Sequence, residues 1–357
     1  MIPEAVPTAP GFEHVELFSA PASEYNALRN GAALVDRSAR QRTIIAGAKA
    51  GDTLTGLLTS DVLALIPGAG QYAAALTSKG KIIADVRVFA REGDFLVDVA
   101  EAAAPGFATM IRKFVNPRLA RYADASTILR TVGVFGPNSA GTIALTLGIA
   151  VQALRALSDY AHFAMDWDGN ALRVARAPDL GGDGFDIFVP VEAATALWSA
   201  LENAGATPVG RAAVNIARIE AGRPLWGIDM DENTLAQEAN FDELHGISYT
   251  KGCYTGQETV ARVHFRGHVN RHLRGLRSTA QLPGGAQLFS DDGKPVGEVR
   301  SAATSPALGA IAIAMVRHEV APASRLTVRW DGGETHAVVH ELPFALDYFK
   351  GDTFGKE

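Results

Sequence analysis

Cys253, the chain's single cysteine, lies in the run Lys251-Gly-Cys-Tyr-Thr-Gly-Gln-Glu258, where chemistry is easiest to read. The thiolate is cysteine's nucleophilic form, and a nearby cation or a helix N-terminus favours it over the thiol. Thr255-Gly-Gln-Glu258 has capping-box spacing, in which threonine hydroxyl and glutamate carboxylate satisfy each other's backbone N–H groups. A helix is expected to start at about Gly256 and run through Thr259, Val260 and Val263. Cys253 would lie just outside its N-terminus, at the positive end of the helix dipole, with Lys251 two residues away. A lone cysteine is more often a small, inert, buried residue. Here the capping box, the lysine and the flanking glycines favour a reactive or interaction-site thiol. Nothing nearby supplies the base that a cysteine hydrolase needs.

Other residue types raise paired choices. Alternation over Ile82 to Phe89 puts Ile83, Asp85, Arg87 and Phe89 on one strand face and Ile82, Ala84, Val86 and Val88 on the other. Asp85 can serve a ligand cleft, or it can be a solvated carboxylate paired with Arg87. Asp186, between Phe185 and Ile187, is either a ligand carboxylate or a polar outer-face residue. Phe95, Val97 and Val99 share a face that lines an aromatic slot or fills the core. Trp226 stands just past a helix stop and could stack on a ring. Arg218 could meet a ligand carboxylate or pair with Glu220 or Glu238. His264, His268 and His272 recur every four residues, but Gly267 interrupts the helix that would align them, so no metal site is expected. Arg262, Arg266, Arg271 and Arg274 form a basic run with only Phe265 as an aromatic, better read as a solvated face than a nucleic-acid surface.

The elements that position these residues mix strands and helices without strict βαβ alternation, which gives an α+β fold. Ser23 to Asn30 reads as a helix stopped by Gly31, and Glu192 to Asn203 and Arg211 to Glu220 as two more. Ile82 to Phe89 and Phe95 to Val99 form a hairpin around Arg91-Glu-Gly-Asp94. Ala171 to Arg176 and Phe185 to Val189 form a second pair across Gly181-Gly-Asp-Gly184. From Gly275 onward short strands and the turns Asp292-Gly293 and Asp331-Gly-Gly333 predict a separate small β-barrel or sandwich. The expected division is residues 1–274 as a core of two sub-domains and 275–357 as the barrel.

The 357 residues are 47% hydrophobic and 20% charged, with a net charge of −6. That balance gives no global attraction to nucleic acid or anionic membranes. No stretch approaches the roughly 18 apolar residues of a membrane span. Met1 to Pro10 lacks the basic residues of a secretory or mitochondrial leader, so a cytoplasmic protein with one free thiol is expected.

The cysteine run resembles the signature of the YgfZ-like folate-binding proteins and of their mitochondrial counterparts in iron–sulfur cluster assembly. These are paralogues of the glycine-cleavage T-protein, an aminomethyltransferase that uses tetrahydrofolate. Further segments resemble the superfamily: Tyr25-Asn-Ala-Leu-Arg29, Ala33 to Ser38, Gly80-Lys-Ile-Ile-Ala-Asp85, Phe135-Gly-Pro137, Gly184-Phe-Asp-Ile187, Arg218-Ile-Glu-Ala-Gly222, Ser305-Pro306 and Leu342-Pro-Phe344. The resemblance implies a T-protein-like folate-binding core of mixed sheets and helices with a C-terminal small β-barrel. It also implies a tetrahydrofolate or other folate site that includes Asp85, Phe95, Val97, Val99, Asp186, Arg218 and Trp226. Cys253, flanked by Lys251, is then a reactive or interaction thiol beside that cleft, and Asp85 the carboxylate that could serve chemistry in it.

Two functions follow from it. The first is a non-enzymatic accessory protein that binds folate and partner proteins in iron–sulfur cluster assembly or repair, supporting enzymes such as those that modify tRNA. The alternative is a tetrahydrofolate-dependent aminomethyltransferase or demethylase. Ala84, where the transferases carry the first of two acids, and Val99-Ala-Glu101, which lacks their asparagine, favour the first.

Overall fold

The computed structural model describes residues 15–345; the proline-rich lead Met1 to Pro10 lies outside the described residues. The first part of the chain comprises α1 (Pro21–Asn30), β1 (Ala33–Asp36), β2 (Gln41–Ala46), α2 (Ala50–Leu57), β3 (Gly70–Leu76), β4 (Ile82–Ala90), β5 (Asp94–Val99), α3 (Ala104–Phe114) and β6 (Arg121–Asp124). The second comprises β7 (Leu129–Phe135), α4 (Ser139–Leu147), α5 (Val151–Arg155), β8 (His162–Trp167), β9 (Asn170–Arg176), β10 (Gly184–Pro190), α6 (Val191–Asn203), β11 (Thr207–Pro208), α7 (Arg211–Glu220) and α8 (Gln257–Arg266). The third comprises β12 (Arg271–Ser278), β13 (Gln287–Phe289), β14 (Pro295–Ser305), β15 (Gly309–Arg317), β16 (Arg325–Trp330) and β17 (Gly333–His340).

These strands form a five-stranded sheet, β3-β4-β5-β2-β6, a six-stranded sheet, β11-β1-β7-β10-β9-β8, and a closed barrel, β12-β15-β14-β13-β16-β17. The α+β architecture and the terminal barrel agree with the expectation. Among the described residues no helix is long and apolar enough to cross a membrane.

Alternation makes the two faces of the five-stranded sheet different. Ala73, Ala75, Ala84, Val86, Val88, Val97 and Val99 form one apolar cluster with Leu54 of α2 and Phe107, Met110 and Ile111 of α3. The other face carries a transverse row set by strand register: Tyr72 opposite Arg87, Arg87 opposite Asp98, and Asp98 opposite Arg42. The six-stranded sheet follows the same rule. Phe185, Ile187 and Val189 of β10 pack with Leu197, Trp198 and Leu201 of α6. Phe188 instead joins Phe89 in the cluster that lies between the sheets and also takes in Leu273, Ile311, Ile313 and Met315 of the barrel. Phe89 and Phe188 meet edge to face at 5.2 Å.

The capping box expected at Thr255 to Glu258 is not formed. The N-cap of α8 is Gly256, at φ +86° and without a side-chain cap, and Gln257 Oε1 accepts the Tyr254 N–H at 3.3 Å. Close approach is the reason: a Cβ on Gly256 would lie 2.6 Å from the Thr77 carbonyl oxygen. The fit of this turn against β3 outranks the local capping signal.

Candidate functional site

A buried charge cluster joins the two sheets. Asp98, on β5, is fully buried; its Oδ1 accepts from Arg87 Nε at 2.8 Å and from Arg40 Nε at 3.0 Å. Arg87 Nη1 reaches across to Asp186 Oδ2 at 2.6 Å and Asp179 Oδ2 at 3.0 Å. Arg37 pairs with Asp179 and lies 3.4 Å from Asp186. Charges this deep are tolerable only when paired and hydrogen-bonded. Burial alone would raise the Asp98 carboxyl, but Arg40 and Arg87 outweigh it and bring it to about 2. Burial likewise opposes ionisation of Asp179, and Arg87 and Arg37 overcome it.

Asp85 is the least engaged carboxylate of the four. It is 6% exposed, and its Oδ2 accepts two long hydrogen bonds from Arg40, at 3.4 and 3.5 Å. Its Oδ1 is buried and has no hydrogen-bond partner. A carboxylate oxygen left free beside a fixed cation can accept an N–H or a proton from a ligand. Arg40 also lines a cavity of about 340 Å³ with Ser38, Gln41, Glu101, Asp124 and Ser126, so the cluster opens toward the surface on this side. Tyr72 lies close enough for burial and the Asp85 charge to push its hydroxyl well above the ordinary phenol range. Its ring stacks on Phe241 at 5.0 Å and Tyr160 at 6.3 Å, and the Tyr160 hydroxyl accepts from Arg223 at 3.4 Å.

The other expected site residues fall in different places. Val97 and Val99 belong to the helix-covered apolar cluster, with Phe95 packed against it, so this face is core and not a ligand slot. Asp186 is not a polar outer-face residue; it is fully buried between Arg87 and Arg37. Asp85 pairs with Arg40, not with Arg87. Arg218 donates to Asp229 at 2.8 Å, Ser301 at 2.5 Å and the Arg223 carbonyl at 3.2 Å, fixing α7 to the barrel instead of meeting Glu220, Glu238 or a ligand. Trp226 packs against two clusters, and its buried Nε1 has no hydrogen-bond partner.

Lys251 does not serve as the thiol's cation. Its ammonium donates to the carbonyls of Thr55, Leu58 (2.5 Å) and Ser60 (3.0 Å), which uses its three N–H donors, and it lies 4.5 Å from the Tyr254 ring centre. Burial lowers it to about 8. Cys253 is exposed.

The residues that sequence reading missed are Arg37, Arg40, Asp98 and Asp179. A signal for Asp98 exists: it is a lone charge in Phe95-Leu-Val-Asp-Val99, and the tight turn before it brings it opposite Arg87. Arg37, Arg40 and Asp179 lie in connecting segments, whose partners no strand period reveals.

Comparison with known proteins bears on these placements. Residues 5–246 match the GCVT N-terminal domain, and residues 271–345 match the glycine cleavage T-protein C-terminal barrel domain. An aminomethyltransferase of Nostoc sp. is 31% identical over 352 residues, covering 96% of this chain and 92% of its own. One from Cutibacterium acnes is 30% identical, covering 92% and 91%. The crystal structure of glycine cleavage system aminomethyltransferase T from Bartonella henselae superposes with a TM-score of 0.82 at 22% identity, over 93% of this chain and 95% of that one, and so shares the fold. The expected non-enzymatic role in iron–sulfur assembly is overturned by these matches, because the relatives aligned over nearly the whole chain are named as enzymes. The chain belongs to the glycine cleavage T-protein family.

Proposed function

We propose that this protein is a tetrahydrofolate-dependent one-carbon transferase of the aminomethyltransferase type, with Asp85 at its reaction centre. The observation that carries the reading is the buried Asp85 Oδ1, free of any hydrogen bond while Oδ2 is held by Arg40. The sequence-level objection loses its force in the fold. Ala84 points into the helix-covered cluster, so an acid there would enter the core and not the Asp85 side; just past the strand, Ala100 is buried in the same cluster.

The residues present fit the cofactor. A pterin ring offers N–H donors and carbonyl acceptors, and the chain holds a buried unpartnered acceptor at Asp85 and a buried unpartnered donor at Trp226 Nε1. When bound, tetrahydrofolate supplies the amine nitrogens that take up a one-carbon unit. Asp85 would accept an N–H at Oδ1 and hold or move a proton there, oriented by Arg40. Asp98 fixes Arg40 in turn. We assign Asp186 to holding Arg87, since both of its oxygens face guanidinium groups. Within the family, the Lys251 to Glu258 run supports placing the chain nearest the YgfZ-like branch, as a matter of descent only.

The test is a titration of the purified protein with tetrahydrofolate followed by intrinsic tryptophan fluorescence, with Trp226→Phe as the control, then an assay for methylenetetrahydrofolate from aminomethyl and N-methyl donors. Saturable binding with turnover supports the reading. Binding without turnover on any donor class, or turnover unchanged in Asp85→Asn, overturns it.

A further inference from the structure

Outside the Asp85 centre, a second cavity of about 390 Å³ opens where the chain enters the barrel, lined by His268, Asn270, Arg271, Arg317, His318 and Glu319. Arg271 begins β12 and Arg317 ends β15, and the two stand directly opposite each other in the antiparallel register. Like charges so placed are destabilising unless something of opposite sign offsets them. The carboxylates at hand do this only in part. Arg271 Nε lies 3.0 Å from Glu238, while Arg317 and Glu319 sit 3.4 Å apart with both side chains mostly exposed.

The histidines give a second, independent sign. The His268 ring stacks on His318 at 4.5 Å, and His272 lies 5.6 Å from the same ring. His272 lies behind the lining and not in it, and its Nε2 is buried without a hydrogen-bond partner. Burial, Arg274 and His318 hold that imidazole down at about 4. The His318 N–H donates to the Asn270 carbonyl at 2.9 Å, so backbone bonding brings the two segments together. Among the described residues no group of histidine, cysteine and carboxylate side chains is arranged for a metal. Each guanidinium has one carboxylate neighbour, but each carries five N–H donors, and the donors left over beside two imidazoles suit an oxyanion.

We propose that this cavity binds a small, multiply charged oxyanion ligand, through either phosphate groups or clustered carboxylates, with Arg271, Arg317, His268 and His318 as its donors. Its volume lies in the range of small-molecule sites. The site is independent of the transferase reading.

Calorimetric titrations with pyrophosphate and, separately, with citrate at moderate ionic strength test it. Saturable one-site binding is expected for at least one of them, and the tighter probe identifies the source as phosphate or carboxylate. Arg317→Glu should weaken that binding by about tenfold or more. Lys294→Glu, on the exposed turn between β13 and β14, should leave it unchanged, and His318→Gln should lose part of the affinity. Arg317 is exposed, so its substitution does not threaten the fold. No saturable binding of either probe, or equal weakening by Arg317→Glu and Lys294→Glu, would reduce the cavity to ordinary surface charge and overturn the proposal.

Discussion

Around Asp85, four aspartates and three arginines interlock between two sheets; two carboxylate oxygens have no hydrogen bond, and of these Asp186 Oδ1 faces Arg37 while Asp85 Oδ1 faces no cation. Around Cys253 the pattern is reversed: the thiol is exposed, and the nearby lysine is turned away to close three backbone carbonyls. Both residues belong to reactive types, and in sequence the cysteine is the more conspicuous. The difference between them is that reactivity needs an environment held at some cost. A buried, incompletely satisfied carboxylate is such an environment. The Cys253 thiol lies in solvent, and the lysine beside it is hydrogen-bonded to carbonyls.

Substitutions can break this contrast in graded steps. Asp85→Asn keeps shape and removes the carboxylate; turnover should fall by about 10²- to 10⁴-fold, with the melting temperature little changed. A comparable loss in Cys253→Ser would reverse the comparison. Arg87→Leu leaves Asp98 and Asp186 buried without their main cation and should cost about 3–5 kcal/mol in urea unfolding. A near-neutral result would mean that the aspartates are solvated and that the cluster is not what joins the sheets.

Acid should act on the same cluster. Asp98 is lowered in the folded protein to about 2, so its share of stability is full above the unfolded carboxyl pKa of about 3.9 and is lost as pH falls through about 2. Acid unfolding of Asp98→Asn, followed by circular dichroism, should show a flatter slope across that window than the parent. Lys251→Met strands three carbonyls and should cost about 1–3 kcal/mol without touching tetrahydrofolate binding. Cys253→Ser should change stability by no more than about 0.5 kcal/mol and leave turnover in place.

Much of the scaffold was legible in the sequence, and the centre only in part. The hairpin over residues 82–99 and helices α6 and α7 follow from period and stop residues. The barrel follows from its turns, and the family from its motifs. Asp85 was readable as one side of a choice, because strand alternation fixes its face. Its partner was not: Arg40 lies in the turn between β1 and β2, so the pairing depends on tertiary approach and not on spacing. The weight given to Ala84 shows the same limit from the other side. A motif departure carries chemical meaning only once the direction of the side chain is known, and this one faces the helices. At Gly256 a local capping signal was read correctly as a pattern, but tertiary contact with Thr77 overrode it.

That contact at Gly256 has a counterpart. A Cβ on Gly80, in the turn between β3 and β4, would come within 2.8 Å of Thr259 on α8, just as one on Gly256 would strike the Thr77 carbonyl. Each glycine makes room for the element that carries the other, like two notches cut to receive each other. The turn that launches the Asp85 strand and the helix that follows the cysteine are thus a single mechanical part. Any side chain added at either glycine would therefore force the two elements apart.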